Sequence, residues 1–398
     1  MTLALTAIAV LIGLWALSTA RIPPIAEAPA LLLSLGAAGA FLYRALGAPT
    51  PPTEFLAGAA EAGLGALVFV SAAQIRVSRF ARVCPASFRL TLGGAPLFLV
   101  ICSLGAFVLL PQLSMPSAML LGGALMLNGA AFDRRAVTRA PAPASIKAAV
   151  RIESAAIIAL GAPVAILIAG AATTPAPGDT PLRPLLDQSI AVAAAFAIGG
   201  AAGLGAARYG RRRGREILAV MTAAGGAYIV CALIGAAPVI AAGAAGLVWG
   251  EESRARLVAR LRLRRFVERG VAPLAYFAFG AALGPRLFEA DLLSILFAAA
   301  AVTVMRAGPR LAMLHTSRLP KESQAFLAWF GGAPGAASAL FILSLMDNAT
   351  LVDHEAFLTV AALSVIAGVF AARATSRPLA NAFLRQTAIA KRRRMYAG

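Results

Sequence analysis

The stretch Phe326–Leu345, FLAWFGGAPGAASALFILSL, has the length and apolarity of a membrane span, yet Gly331-Gly332 and Pro334-Gly335 sit in its middle. A span needs about 20 mostly apolar residues. Proline removes a backbone donor and glycine weakens a helix, so the hydrogen-bond ladder is expected to break there. Freed backbone groups at that depth are tolerated only where protein or a water cavity satisfies them. A second stretch, Met119–Arg135 (MLLGGALMLNGAAFDRR), places Asn128-Gly129 a turn before Asp133, and Gly129 is read as a second break. These are the fifth and twelfth of thirteen apolar segments, centred on 2–20, 28–46, 57–75, 88–110, 115–132, 152–172, 189–207, 216–234, 235–250, 270–284, 290–307, 324–346 and 356–373. Seven segments apart, they run through the membrane in opposite directions. A matched pair of interrupted helices points to a secondary transporter built from inverted repeats. No letter-level repeat between the halves accompanies the pattern.

Charge supports the same topology. Of 36 Lys and Arg residues, 33 fall in the gaps that follow odd-numbered segments or in the tail; Arg44, Arg183 and Arg286 are the exceptions. The even gaps are neutral or acidic, with Glu54, Asp179, Asp187, Glu289, Asp291, Asp347, Asp353 and Glu355. Positive residues stay on the cytoplasmic side. The expected arrangement has the N-terminus outside and the C-terminus in the cytoplasm, in a bacterial inner (plasma) membrane. The net charge of +19 is then explained by inner loops, and nucleic acid is excluded as a partner. Those loops and the tail run Lys391–Arg394 are expected to contact anionic lipid. The stretch 251–269 is expected to form an amphipathic basic helix on the inner surface. The first segment lacks the basic residue that opens a signal peptide.

Little else suggests chemistry. Cys84, Cys102 and Cys231 show no metal or redox spacing and are read as small packing residues. His315 and His354 fall in loops on opposite sides. No Gly-rich phosphate loop with a Lys is present, so nothing marks an ATP-driven pump. No enzyme activity, metal or cofactor is expected.

Ionisable residues within spans are expensive and usually functional. Asp133 lies at the inner end of the fifth segment. Glu153 and Ser154 open the sixth, VRIESAAIIALGAPVAIL, and Arg306 ends the eleventh, FAAAAVTVMRAG. Glu61 in the third segment is a weaker candidate, and Arg21 and Glu27 are read as exposed.

These residues resemble the monovalent cation:proton antiporter family, in its sodium/proton exchanger branch, over about residues 57–376. The family's fifth helix carries Thr-Asp-Pro-Val-Ala-Val, matched here by Phe132-Asp133-Arg134-Arg135-Ala136-Val137. Its sixth carries Glu-Ser-x-x-Asn-Asp, matched by Glu153-Ser154-Ala155-Ala156-Ile157-Ile158, so the dyad has become Ile157 and Ile158. Its twelfth, Gly-Gly-Leu-Arg-Gly-Ala-x-Ser, is matched by Gly331 to Ser338 with Pro334 in place of Arg. In Val68–Phe80, Val70 stands where the family has Glu. The family's helix-eleven Arg matches Arg306, and the resemblance implies a structural ion pair between Glu153 and Arg306.

The resemblance also implies an inverted-repeat antiporter fold, all-α, with about 13 transmembrane helices and crossing breaks in helices five and twelve. It implies a single transmembrane domain with a core bundle at about 86–172 and 287–376 and a dimerisation panel at about 1–80 and 185–286. Residues 377–398 form a basic cytoplasmic tail, and the chain is expected to be a homodimer. In the family, the dyad Asp binds either cation or proton, and Ile158 can hold neither. The leading expectation is exchange of a monovalent cation, Na⁺ or K⁺, for protons. Asp133 would be the exchanging carboxylate, with Ser154, carbonyls near Asn128, and Glu153 as further ligands. An alternative is a transport-incompetent relative that acts as a structural or partner-binding protein, marked by an apolar plug around Ile157 and Ile158. A further alternative is a transporter of another, anionic solute, marked by backbone amides and Arg306.

Overall fold

The computed structural model describes residues 29–46, 53–127, 144–173, 183–213, 216–252, 257–317 and 319–396. The first apolar segment, Asn128, Gly129 and Asp133 lie outside these residues. Each of the other segments contains a helix. The helices are α1 Pro29–Ala45, α2 Thr53–Ala72, α3 Val77–Val83, α4 Pro85–Arg89, α5 Ala95–Leu109, α6 Met115–Met126, α7 Ala144–Ala171, α8 Arg183–Arg213 and α9 Glu216–Leu233. They continue with α10 Pro238–Glu252, α11 Leu257–Phe266, α12 Ala272–Leu283, α13 Leu292–Val302, α14 Val304–His315, α15 Lys321–Phe330, α16 Ala336–Ser344 and α17 His354–Tyr396. Among the described residues, eight helical runs are long and apolar enough to cross a membrane, so this is an integral membrane protein. The last helix continues unbroken for 43 residues, carrying the tail with it.

Local sequence explains the irregular points. α4 joins α5 through a π turn at Leu90–Gly94, and α11 joins α12 through another at Val267–Val271. Each is followed by Ala-Pro-Leu, at Ala95-Pro96-Leu97 and Ala272-Pro273-Leu274. Proline has no N–H to give the preceding turn, and a widened turn absorbs the loss without ending the helix. Thr303 leaves helical geometry (φ −108°, ψ −87°) and divides α13 from α14. Asp291 caps α13, its side chain accepting from the Ser294 N–H at 3.0 Å.

Without a hydrophobic drive between helices in lipid, close packing favours small residues at the crossings. Where α1 meets α12, a Cβ on Gly36 would collide with the Phe277 carbonyl and one on Gly280 with the Leu33 carbonyl. α8 packs on α9 and α10, and α10 packs on α2. α2 also touches α7 and α16, joining this set to the helices that carry Glu153 and the break. The main apolar cluster runs through Leu64, Leu121, Phe279, Phe297, Phe341 and Phe357.

Residues 350–353 clasp three helices at one end. Thr173 and Leu351 form an isolated antiparallel bridge, and the Val352 N–H donates to Ala172 O at 3.0 Å. Ser117 Oγ donates to Val352 O at 2.6 Å and the Ser114 N–H to Asp353 Oδ2 at 2.7 Å. Asp353 thereby sits at the start of α6, where a carboxylate is favoured.

Candidate functional site

α15 ends at Phe330 and α16 begins at Ala336, so Gly331–Gly335 is non-helical in mid-chain of the twelfth segment. Gly332 has φ +71°, a left-handed conformation that glycine adopts without steric cost. Arg310 on α14 fills the space that the break opens. Its Nε donates to Ala328 O at 3.1 Å and its Nη2 to Leu327 O at 2.8 Å. These are among the last carbonyls of α15, where a cation is favoured. Its Nη1 forms an ion pair with Glu153 Oε1 on α7. A Cβ on Gly331 would collide with Arg310 Nη2 and fall 2.8 Å from Glu153 Oε2. Glycine at this position is therefore what lets the guanidinium lie against the α15 terminus and the carboxylate together.

This corrects the expected pair. Glu153 meets Arg310, not Arg306. The two arginines are one turn apart on α14 and both are buried, but α14 presents Arg310 to α7. Arg306 instead lies over the Trp329 ring, 5.1 Å from its centroid. Its Nε and Nη1 have no hydrogen-bond partner among the described residues. In the sequence, Arg310 counts only as one of the charges in the gap after the eleventh segment. The available signal was its i+4 spacing from Arg306 and i−4 spacing from Leu314, which puts all three on the buried face of one amphipathic helix.

Ser154 follows Glu153 on α7 and is also buried. Ile157 and Ile158, at the dyad positions, are 3% and 2% exposed and belong to the main apolar cluster with Leu125, Leu127 and Ala162. Ser338 Oγ, on the first turn of α16, donates to Leu127 O. The start of α16 thus meets the end of α6, immediately before Asn128. Pro334 packs at the point where a Cβ on Gly368 of α17 would lie 3.3 Å from its Cδ. Gly331 and Gly332 are therefore brought together with Glu153 and Arg310, Pro334 lies against α17, Gly335 directly precedes α16, and Asn128, Gly129 and Asp133 lie outside the described residues. Val70 is buried in α2. Among the described residues no cluster of His, Cys, Asp and Glu could hold a metal ion.

The arrangement is a buried carboxylate neutralised by one guanidinium, next to an unwound stretch of backbone. It can brace the break while leaving main-chain groups available to a ligand. The fold is that of known antiporters. A structure of the sodium proton antiporter MjNhaP1 from Methanocaldococcus jannaschii at pH 8 aligns with a TM-score of 0.66 at 17% identity, over 96% of this chain and 99% of that one. An electron-microscopy map of the same antiporter aligns with a TM-score of 0.63 at 17% identity, over 95% and 96%. No curated protein matches the sequence. A family model described as "Sodium/hydrogen exchanger, transmembrane" matches residues 3–381. With nearly the whole chain inside that match, the protein belongs to the transmembrane sodium/hydrogen exchanger family.

Proposed function

We propose that the protein exchanges a monovalent cation, sodium in the first instance, for protons across the membrane. The observation that carries this reading is the buried Glu153–Arg310 pair beside the Gly331–Gly335 break, in a chain of the exchanger family. Asp133 is the exchanging carboxylate in this reading. It binds a cation or a proton in turn, and competition between the two couples their movements. Ser154 and the carbonyls after Leu127 complete a set of hard oxygen ligands, and the contact of Ser338 with Leu127 supports their proximity to the break. Glu153 and Arg310 hold the unwound backbone in place. The core bundle and the panel move relative to each other, and the panel pairs two copies into a homodimer. The N-terminus faces outward, the C-terminus lies in the cytoplasm, and the basic inner surface rests on anionic lipid.

A second reading, a relative of the fold that does not transport, is favoured by the burial of Ile157 and Ile158 in apolar surroundings. Proton movement in vesicles containing the purified protein separates the two. Addition of Na⁺ or Li⁺ is expected to release protons in the wild type and not in Asp133→Asn. No response to Na⁺, Li⁺ or K⁺ from folded protein, at neutral or alkaline pH, would eliminate exchange and leave the second reading.

A further inference from the structure

The loop that joins α16 to α17 faces two ways. His354 Nε2, at the start of α17, lies 3.2 Å from Leu345 O and closes the loop on itself. Residues 350–353 bind it to α6 and α7 through part-buried and backbone hydrogen bonds. On either side of that stretch a carboxylate reaches other helices. Asp347 Oδ1 accepts from Thr53 Oγ1, at the start of α2, at 3.1 Å. Glu355, in the first turn of α17, pairs with Arg286.

Arg286 belongs to the 3₁₀ turn Gly284–Glu289 that follows α12. That turn is seated on α1. A Cβ on Gly284 would fall 2.6 Å from Ala37 Cβ, and Phe288 meets Phe41 edge to face at 5.5 Å. A contact of the same kind joins α8 to α7. Gln188 Nε2 donates to Ile166 O at 3.4 Å, and a Cβ on Gly170 would fall 2.9 Å from Gln188 Cγ. In each case one partner belongs to, or sits on, the expected panel (α1, α2 or α8) and the other to the expected core bundle (α7, α16 or α17). The Thr173–Leu351 bridge, Thr53–Asp347 and Arg286–Glu355 bring the gaps after segments two, six, ten and twelve to one end of the molecule. The expected topology places that end outside.

We propose that the α16–α17 loop is a releasable latch on the outer face: Asp347 and Glu355 hold the core bundle to the panel through Thr53 and Arg286, and both contacts part when that face opens. The latch rests on the exchange reading, in which bundle and panel move relative to each other. The loop stays with the bundle, because its bonds to α6 and α7 are part-buried or backbone to backbone. The panel contacts are the weaker joint. Thr53 and Asp347 are exposed, and the Glu355 side chain is 73% exposed, so water replaces either partner at small cost. One such exposed contact biases a two-state equilibrium by no more than about fivefold. That strength favours the closed outer face without preventing its release.

The test is the distance across the latch, read by pulsed electron–electron resonance between spin labels on Phe55→Cys and Ala349→Cys of the full chain in lipid vesicles. Both positions are exposed. Cys84→Ser removes a partly exposed native thiol, and Cys102 and Cys231 are buried. Excess unlabelled protein keeps the measured pairs within one chain. The latched protein is expected to hold mainly a short distance. Thr53→Val and Glu355→Gln, both at exposed sites, are each expected to raise the ratio of a longer distance to the short one by up to about fivefold, and together by more than either alone. A double variant with an unchanged distance distribution overturns the latch. A longer distance that already dominates before either substitution overturns it too. Proton movement on adding Na⁺ to vesicles of unlabelled protein separates the latch from the exchange reading. Exchange with distances that ignore both substitutions removes the latch alone; distances that respond in a protein that moves no protons support the latch and remove the exchanger.

Discussion

A double-mutant cycle on Glu153 and Arg310 puts the central pairing at risk. Both side chains are shielded from solvent, at 0% and 4% exposure, so screening does little to weaken their attraction. Glu153→Gln strands the Arg310 guanidinium, and Arg310→Met strands the Glu153 carboxylate. Removing one member of a buried pair costs about 3–5 kcal/mol, so the single variants sum to about 6–10 kcal/mol on the same basis. The double variant strands no charge. It loses mainly the contacts to Leu327 O and Ala328 O, at about 1.5–3 kcal/mol for each hydrogen bond to a charged group before relaxation. The coupling is then about 3 kcal/mol, the top of the range for residues in contact. The companion cycle, Glu153→Gln with Arg306→Met, should couple by less than about 0.5 kcal/mol, as for independent sites. Denaturant unfolding in mild detergent at neutral pH measures both. A larger coupling to Arg306 than to Arg310, or none to either, would refute the assignment.

Two further predictions concern the backbone around this pair. Gly331→Ala places a methyl group on Arg310 Nη2 and 2.8 Å from Glu153 Oε2, so it should lower the unfolding midpoint nearly as much as Arg310→Met, and adding it to the Glu153→Gln, Arg310→Met protein should cost far less. Asp353 is pushed up by burial, but hydrogen bonding, led by that from Ser114, outweighs this and holds its carboxyl below the usual range. With the folded value depressed, its stabilisation is present above the unfolded pKa of about 3.9 and is lost as pH falls through the folded value. Asp353→Asn, which tolerates the φ of 53° at this position, should cost about 0.5–1 kcal/mol at neutral pH for a partly solvent-screened cap. It should also flatten the acid limb of the stability profile measured by thermal unfolding.

The spans were legible because apolar length is a local property: each segment announces itself without reference to its neighbours. Alternating charge gave the expected sidedness by the same kind of local count. The partner of Glu153 was not legible. Arg306 and Arg310 share a helix face, and which of them meets α7 depends on the rotation of α14 after Thr303 and on the room that Gly331 leaves. Neither is written in one segment alone. The π turns carry a local signal, Ala-Pro-Leu within an apolar run, but its reading as a wide turn instead of a helix end requires knowing that the helix continues on the far side. Ile157 and Ile158 were recognisable as apolar substitutes, while their inclusion in the main core depends on α6 and α7 packing together.

The clasp at residues 350–353 has a mechanical consequence. It ties the start of α6, the end of α7 and the start of α17 through three backbone contacts and a carboxylate. Ser338 adds a second tie between α6 and α16, near the other end of α6. α6, fastened at both ends, resists sliding past α7, α16 and α17, so a displacement applied to it is passed on to them.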